Sequence, residues 1–235
     1  PPTKINLQIG DTLSVRDAIP ALIVRSANDV AAVVAEGLGN TEMHFARMMT
    51  AKARTLGMHS TTFKNASGLP DHEQKTTARD LITLSIRLMK DFPQYYHYFS
   101  TRSFSHQGTV YNSHNRMISN TRGVDGLKTG FIRASGFNVA TSAKRGERRV
   151  IAVVMGGPTA ASRDQYMSQL LERSFSGEKT IQLASNSSPT SKAPVIAKKN
   201  SPAAPSAKNV RPLKQSPEPA ATIKTARTEL RAPPQ

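Results

Sequence analysis

The sequence predicts an α+β fold, and three observations carry that expectation. Up to about residue 92, apolar residues recur at helical spacing between capping residues; past residue 100 the period shifts toward two and β-formers dominate; a last apolar-faced stretch then follows the strands. Helices, then an antiparallel sheet, then a covering helix make an α+β plan.

Taken in order, Leu13-Ser14-Val15-Arg16-Asp17 reads as a helix start, with Ser14 as cap and an acid three residues on. Asp17 to Arg25 continues it as a short apolar helix carrying Pro20. A second helix begins at Asn28-Asp29, runs through Val30 to Ala35 and ends at Gly37 or Gly39. A third is opened by Asn40-Thr41-Glu42, repeats apolar residues at Phe45, Met48, Met49 and Leu56, and stops at Gly57. After the loop Asn65 to Asp71, Thr77 and Asp80 form another capping pattern; its helix carries Leu81, Leu84, Ile86 and Leu88 up to Phe92-Pro93. Strands are expected near Thr101–Ser105, Val124–Ile132, Phe137–Lys144 and Arg149–Met155, with Ser135-Gly136 and Arg145-Gly146-Glu147 as hairpin turns. The closing helix, from about Ser162 to Phe175, presents Tyr166, Met167, Leu170 and Leu171. The sheet needs helices on both faces, and a helix belonging before residue 1 is expected to supply one.

The chain has 235 residues, with 32 Lys and Arg against 16 Asp and Glu, six His, and neither Cys nor Trp. Lack of cysteine excludes disulfides, Cys-ligated zinc or iron–sulfur centres, and a thiol nucleophile. The longest apolar run, Ala18 to Val24, contains Pro20 and is too short to span a bilayer. The opening Pro1-Pro2-Thr3 carries no signal peptide and reads as a mature or cropped chain. All aromatics lie between Phe45 and Phe175, whereas residues 176–235 hold nine of the 15 prolines and a net positive charge. The expected organisation is therefore a folded domain over 1–175 and a disordered, basic, Pro/Ala/Ser-rich tail over 176–235. Such a tail is a solvated spacer or a weak contact with an anionic surface, lipid headgroups or cell wall. Nucleic acid is not an expected partner: the tail has no aromatic to stack on bases, and no reading helix or finger spacing occurs.

Two strings carry chemistry. In Gly123-Val124-Asp125-Gly126-Leu127-Lys128-Thr129-Gly130, a phosphate-binding loop would need Gly directly before Lys128, where Leu127 stands. Gly126 and Gly130 remove side chains around Lys128, so another backbone can approach the strand edge. Lys128 provides a cation and Thr129 a hydroxyl, a pair suited to an extended anionic peptide end. The second string, Ser26-Ala27-Asn28, sits at a helix junction where Ser and Asn also serve as ordinary caps. A Ser-x-Asn junction about a hundred residues before Lys-Thr-Gly is part of the signature of active-site serine β-lactamases and penicillin-binding proteins.

The chain resembles the low-molecular-mass penicillin-binding proteins, the serine-type D-alanyl-D-alanine carboxypeptidases (peptidase S11-like) of bacterial cell-wall metabolism. The residues that carry the resemblance run in family order: Leu22 to Asp29, Thr62 to Asp71, Val124 to Gly130, Ser135-Gly136-Phe137-Asn138 and Val154-Met155-Gly156-Gly157. The family's nucleophile is the Ser of a Ser-x-x-Lys motif that precedes Ser-x-Asn. The one such string here, Ser176-Gly177-Glu178-Lys179, follows the motifs it should precede. The nucleophile segment is accordingly expected before Pro1, and the chain as given is expected to be inactive.

The resemblance implies a β-lactamase/DD-peptidase-like fold and removal of the terminal D-alanine from peptidoglycan stem peptides through an acyl-enzyme. It implies β-lactams as covalent inhibitors, no cofactor, and a site outside the cytoplasmic membrane, periplasmic and peripheral to it; the family's C-terminal amphipathic anchor is not evident. It makes Ser26 the relay of a proton to the leaving amine, Asn28 the residue that bonds the peptide and positions the nucleophile's lysine, and Lys128 the neighbour of Ser26 and of that same lysine. Thr129 and Gly130 would receive the substrate's terminal carboxylate, aided by Arg163. Two other functions remain open: a non-catalytic wall-binding protein, or a β-lactamase or esterase on the same fold. His97, His106 and His114 fit no compact metal spacing, and no His-Glu-x-x-His occurs, so no metal is expected. The aromatics from Phe92 to Phe99 read as packing, and Lys144-Arg145 with Arg148-Arg149 as a solvated hairpin tip.

Overall fold

The structure is a computed structural model that describes residues 2–177; the basic tail expected over 176–235 therefore lies almost wholly outside the described residues. A helical part comes first. Ser14 caps α1 (Val15–Pro20) by accepting from the Asp17 amide, and the chain continues through a wider π-type turn, Ala21–Arg25. Helix α2 (Asn28–Gly39) follows, then α3 (Glu42–Leu56), capped by Thr41 and stopped by Gly57 at φ 91°. Helix α4 (Ala78–Asp91) is capped by Thr77, and Pro93 converts the chain to a 3₁₀ helix, Pro93–Ser100.

The expected strand near Thr101–Ser105 is observed as β1 (Ser103–His106), but it does not join the main sheet. It forms a separate antiparallel hairpin with β2 (Thr109–Asn112), a strand the sequence reading did not contain. A short helix, α5 (Met117–Asn120), leads to the three-stranded antiparallel sheet β3 (Val124–Ile132), β4 (Gly136–Arg145) and β5 (Arg148–Gly157), in that spatial order. Helix α6 (Ala160–Ser176) closes the fold behind a capping box between Thr159 and Ser162.

Side chains alternate along strands, so each face of the sheet can be read from the register. One face presents Val139 and Ala143 of β4 with Val150, Ala152 and Val154 of β5. It packs on Met167 and Leu171 of α6 and on Met117 and Ile118 of α5, the main apolar core. The other face carries Ser142, whose hydroxyl reaches the Met89 sulfur of α4 at 4.0 Å, and Gly126, which lies against Tyr96 and Phe99 of the 3₁₀ helix. Both faces thus receive helices from the described chain. A second, smaller core joins Ile5, Leu13, Ala18, Ala21, Ala27 and Val30 beneath the helix junction. Among the described residues no helix is long and apolar enough to cross a membrane.

Candidate active site

The helix junction is built by strapping the N-terminal segment across it. The Asp29 carboxylate, at the start of α2, accepts the amides of Ile5 and Leu7, each at 3.1 Å, and its other oxygen accepts the Val30 amide at 3.0 Å. Thr3 donates its hydroxyl to the Ser26 carbonyl at 2.8 Å, while the Thr3 carbonyl accepts both the Asn28 amide (2.9 Å) and the Asn28 side-chain Nδ2 (2.8 Å). Between these bonds Ser26 is held at φ 55° and ψ 46°, in the left-handed region. That conformation costs a non-glycine residue about 1–2 kcal/mol and persists only where its surroundings enforce it.

Lys128, at the middle of β3, donates its ammonium to the Ser26 hydroxyl, a contact across 102 positions of sequence. The same Nζ donates to the Thr129 carbonyl at 3.0 Å. Burial depresses the Lys128 ammonium to about 8, well below the ordinary lysine value. His114 lies on the loop after β2; burial pushes its imidazole down, and the charges of Lys128 and Arg25 push it further. The neighbourhood is therefore cationic, and the serine hydroxyl in it faces a lysine that sheds its proton far more readily than a solvated one.

Each residue singled out from the sequence has a definite place. Ser26 and Lys128 meet; Asn28 flanks them at the first turn of α2, with its amide nitrogen committed to the Thr3 carbonyl. Thr129 is half-buried next to Lys128, and Gly130 is exposed, with open space where a Cβ would stand. Gly126 differs from its expected role: its missing Cβ would stand 3.0 Å from Phe99 Cβ and 3.1 Å from Tyr96 Oη, so it serves close packing of the 3₁₀ helix, not access to the strand edge. Arg163 is not brought to Ser26 and Lys128. It is 4% exposed, pairs with Asp164 at 2.7 Å and donates to the Asn138 carbonyl at 3.1 Å; Asn138 is the cross-strand partner of Gly130. Sequence reasoning gave Thr3, Asp29 and His114 no role at this site. Among the described residues no three His, Asp or Glu side chains gather as a metal site.

Residues 2–159 match the D-alanyl-D-alanine carboxypeptidase family, peptidase S11. The chain is similar to the D-alanyl-D-alanine carboxypeptidase DacD of Escherichia coli K12, 36% identical over 178 residues that make up 75% of this chain and 46% of that protein. It is 30% identical over 183 residues to DacF of Bacillus subtilis, with 76% and 47% of the two chains covered. The chain spans about half the length of these curated relatives. Among solved structures, penicillin binding protein 6B of Escherichia coli superposes with a TM-score of 0.69 at 36% identity, covering 72% of this chain and 54% of that one. Penicillin-binding protein D2 of Listeria monocytogenes, in its ampicillin-bound form, superposes with a TM-score of 0.64 at 34% identity, covering 68% and 67%.

Proposed function

The chain belongs to the D-alanyl-D-alanine carboxypeptidase family of peptidase S11, and from that membership we propose that it is part of a penicillin-sensitive serine peptidase that removes the terminal D-alanine from peptidoglycan stem peptides outside the cytoplasmic membrane. The observation that carries the reading is the Lys128–Ser26 contact at the mouth of α2. Ser26 and Lys128 form a proton path. With its pKa lowered by burial to about 8, Lys128 is close to the range in which a group both accepts and returns a proton at neutral pH.

In this mechanism a serine upstream of residue 1 gives its hydroxyl proton to the neutral lysine of the same motif and attacks the carbonyl between two D-alanines, the bond to the last D-alanine breaks, and an acyl-enzyme forms. The leaving amine takes its proton from the Ser26 hydroxyl, which is replenished from Lys128. Water then cleaves the ester. Asn28 bonds the substrate peptide from the helix end, exchanging its Thr3 partner for the substrate and the upstream lysine. The exposed edge at Thr129-Gly130 receives the substrate carboxylate: the Thr129 hydroxyl donates to it, and Arg163, paired with Asp164, stands one strand behind and braces the carbonyl of Asn138, the partner of Gly130. A charge-assisted bond of that type contributes about 1.5–3 kcal/mol.

The test uses protein expressed with its upstream coding sequence. Incubation with a peptide ending in D-Ala-D-Ala should release D-alanine, and a fluorescent penicillin should label the protein covalently and block that release. Hydrolysis of the β-lactam without D-alanine release points instead to a β-lactamase; neither reaction, with no Ser-x-x-Lys upstream, points to a wall-binding protein.

A further inference from the structure

Strand β3 carries one residue more than the stretch of β4 opposite it. Val124 pairs with Ala143 and Gly126 with Ser142, so Asp125 stands in the ladder without a partner of its own. The consequence is one of parity. Val124 and Leu127 are both buried on the face that packs against α5 and α6, although they are three positions apart. Regular alternation would put residues 124, 126 and 128 on one face. With the extra residue, Lys128 crosses to the opposite face, the one on which Ser26 stands.

Asp125 is fixed from two elements. Tyr96, from the 3₁₀ helix, donates its hydroxyl to Asp125 Oδ1 at 2.8 Å. Arg149, from β5, pairs with the same carboxylate at 2.8 Å, donates to the Ser142 hydroxyl of β4, and lies 5.3 Å over the Tyr96 ring. Burial foremost, and the Asp125 carboxylate beside it, push the Tyr96 phenol up to about 12, so it remains a donor throughout the physiological range. Bulges recur beside functional sites because an unpaired residue re-aims the side chains that follow it.

We infer that Tyr96 and Arg149, by holding Asp125 out of the ladder, keep β3 in the register that aims Lys128 at Ser26, which makes Tyr96, Asp125 and Arg149 positioning residues of this site. The inference deepens the carboxypeptidase reading and rests on it for the activity readout alone.

The deciding measurement is the titration of the Lys128 ammonium by NMR in the 235-residue chain, in wild type, Asp125→Asn and Tyr96→Phe. Positioning predicts that the midpoint rises from about 8 toward the ordinary value of 10.5 as Lys128 returns to solvent, more in Asp125→Asn than in Tyr96→Phe. A purely electrostatic role for Asp125 moves the midpoint down, since loss of a carboxylate disfavours the ammonium. A purely structural role lowers the melting temperature and leaves the midpoint in place. Either of these results overturns the inference. In protein carrying its upstream segment, penicillin labelling of Asp125→Asn should slow on the order of 100-fold, the usual effect of misplacing a reacting group by about 1 Å. If the wild-type protein is never labelled, the carboxypeptidase reading fails, and the Lys128 midpoint still decides the positioning role.

Discussion

At Lys128 two effects oppose each other: burial disfavours the ammonium, while the Ser26 hydroxyl and the Thr129 carbonyl solvate it. Burial dominates, since the folded-state value is about 8 against an ordinary 10.5. Between these values the unfolded chain binds more protons than the folded one, so stability rises with pH across that window. Lys128→Met should therefore stabilise the chain near neutral pH, by about 3 kcal/mol at most, and the gain should disappear above the ordinary lysine range. Urea melts of both proteins at the two pH values measure it. Asp80 runs the other way. The Thr61 hydroxyl donates to its carboxylate at 2.6 Å and, against the effect of burial, holds it below the usual carboxylate range. That contribution is present at neutral pH and lost as pH falls through the lowered value, so Thr61→Val should unfold at a higher pH in an acid titration. Ser26, Asn28, Lys128 and Thr129 were legible as short strings because the residue types alone suggest the chemistry. Thr3, Asp29 and His114 were not, because their roles arise from backbone groups and charges brought together only by folding.

Among the elements, the helices were the most legible. Thr41, Thr77 and Gly57 mark helix ends by satisfying or releasing backbone groups, and the structure uses all three as such. The hairpin of β1 and β2 escaped notice because its turn, Gln107-Gly108, adopts positive φ at both positions without the Asn or Asp that usually announces it. The aromatics of the 3₁₀ helix read as packing and name no element by themselves, and the irregularity at Asp125 cannot be seen until β3 is laid against β4. Packing makes two demands that can be tested. Leu171 is fully buried between α6 and the sheet, so Leu171→Ala should cost about 2–5 kcal/mol in denaturant unfolding. Gly126→Ala places a methyl against Phe99 and Tyr96 and should cost about 1–3 kcal/mol by overpacking.

At the scale of the molecule, α6 and α5 cover one side of the sheet while α4 and the 3₁₀ helix cover the other, and the helix junction at Ser26 meets the sheet through Lys128. That arrangement explains why motifs about a hundred residues apart in sequence belong to one site. The proposed division of the chain near residue 176 is open to limited trypsin digestion, which should leave a resistant fragment ending close to the last turn of α6. Penicillin labelling should depend on the upstream segment: the 235-residue chain by itself should take no label. The central claim is that Ser26 and Lys128 act as a unit, and a double-mutant cycle on the penicillin acylation rate tests it most directly. Measured in protein with its upstream segment, Ser26→Ala and Lys128→Ala should each slow acylation strongly, and the double variant should be no slower than the worse single one. Losses that multiply in the double variant would show two independent residues and contradict the account.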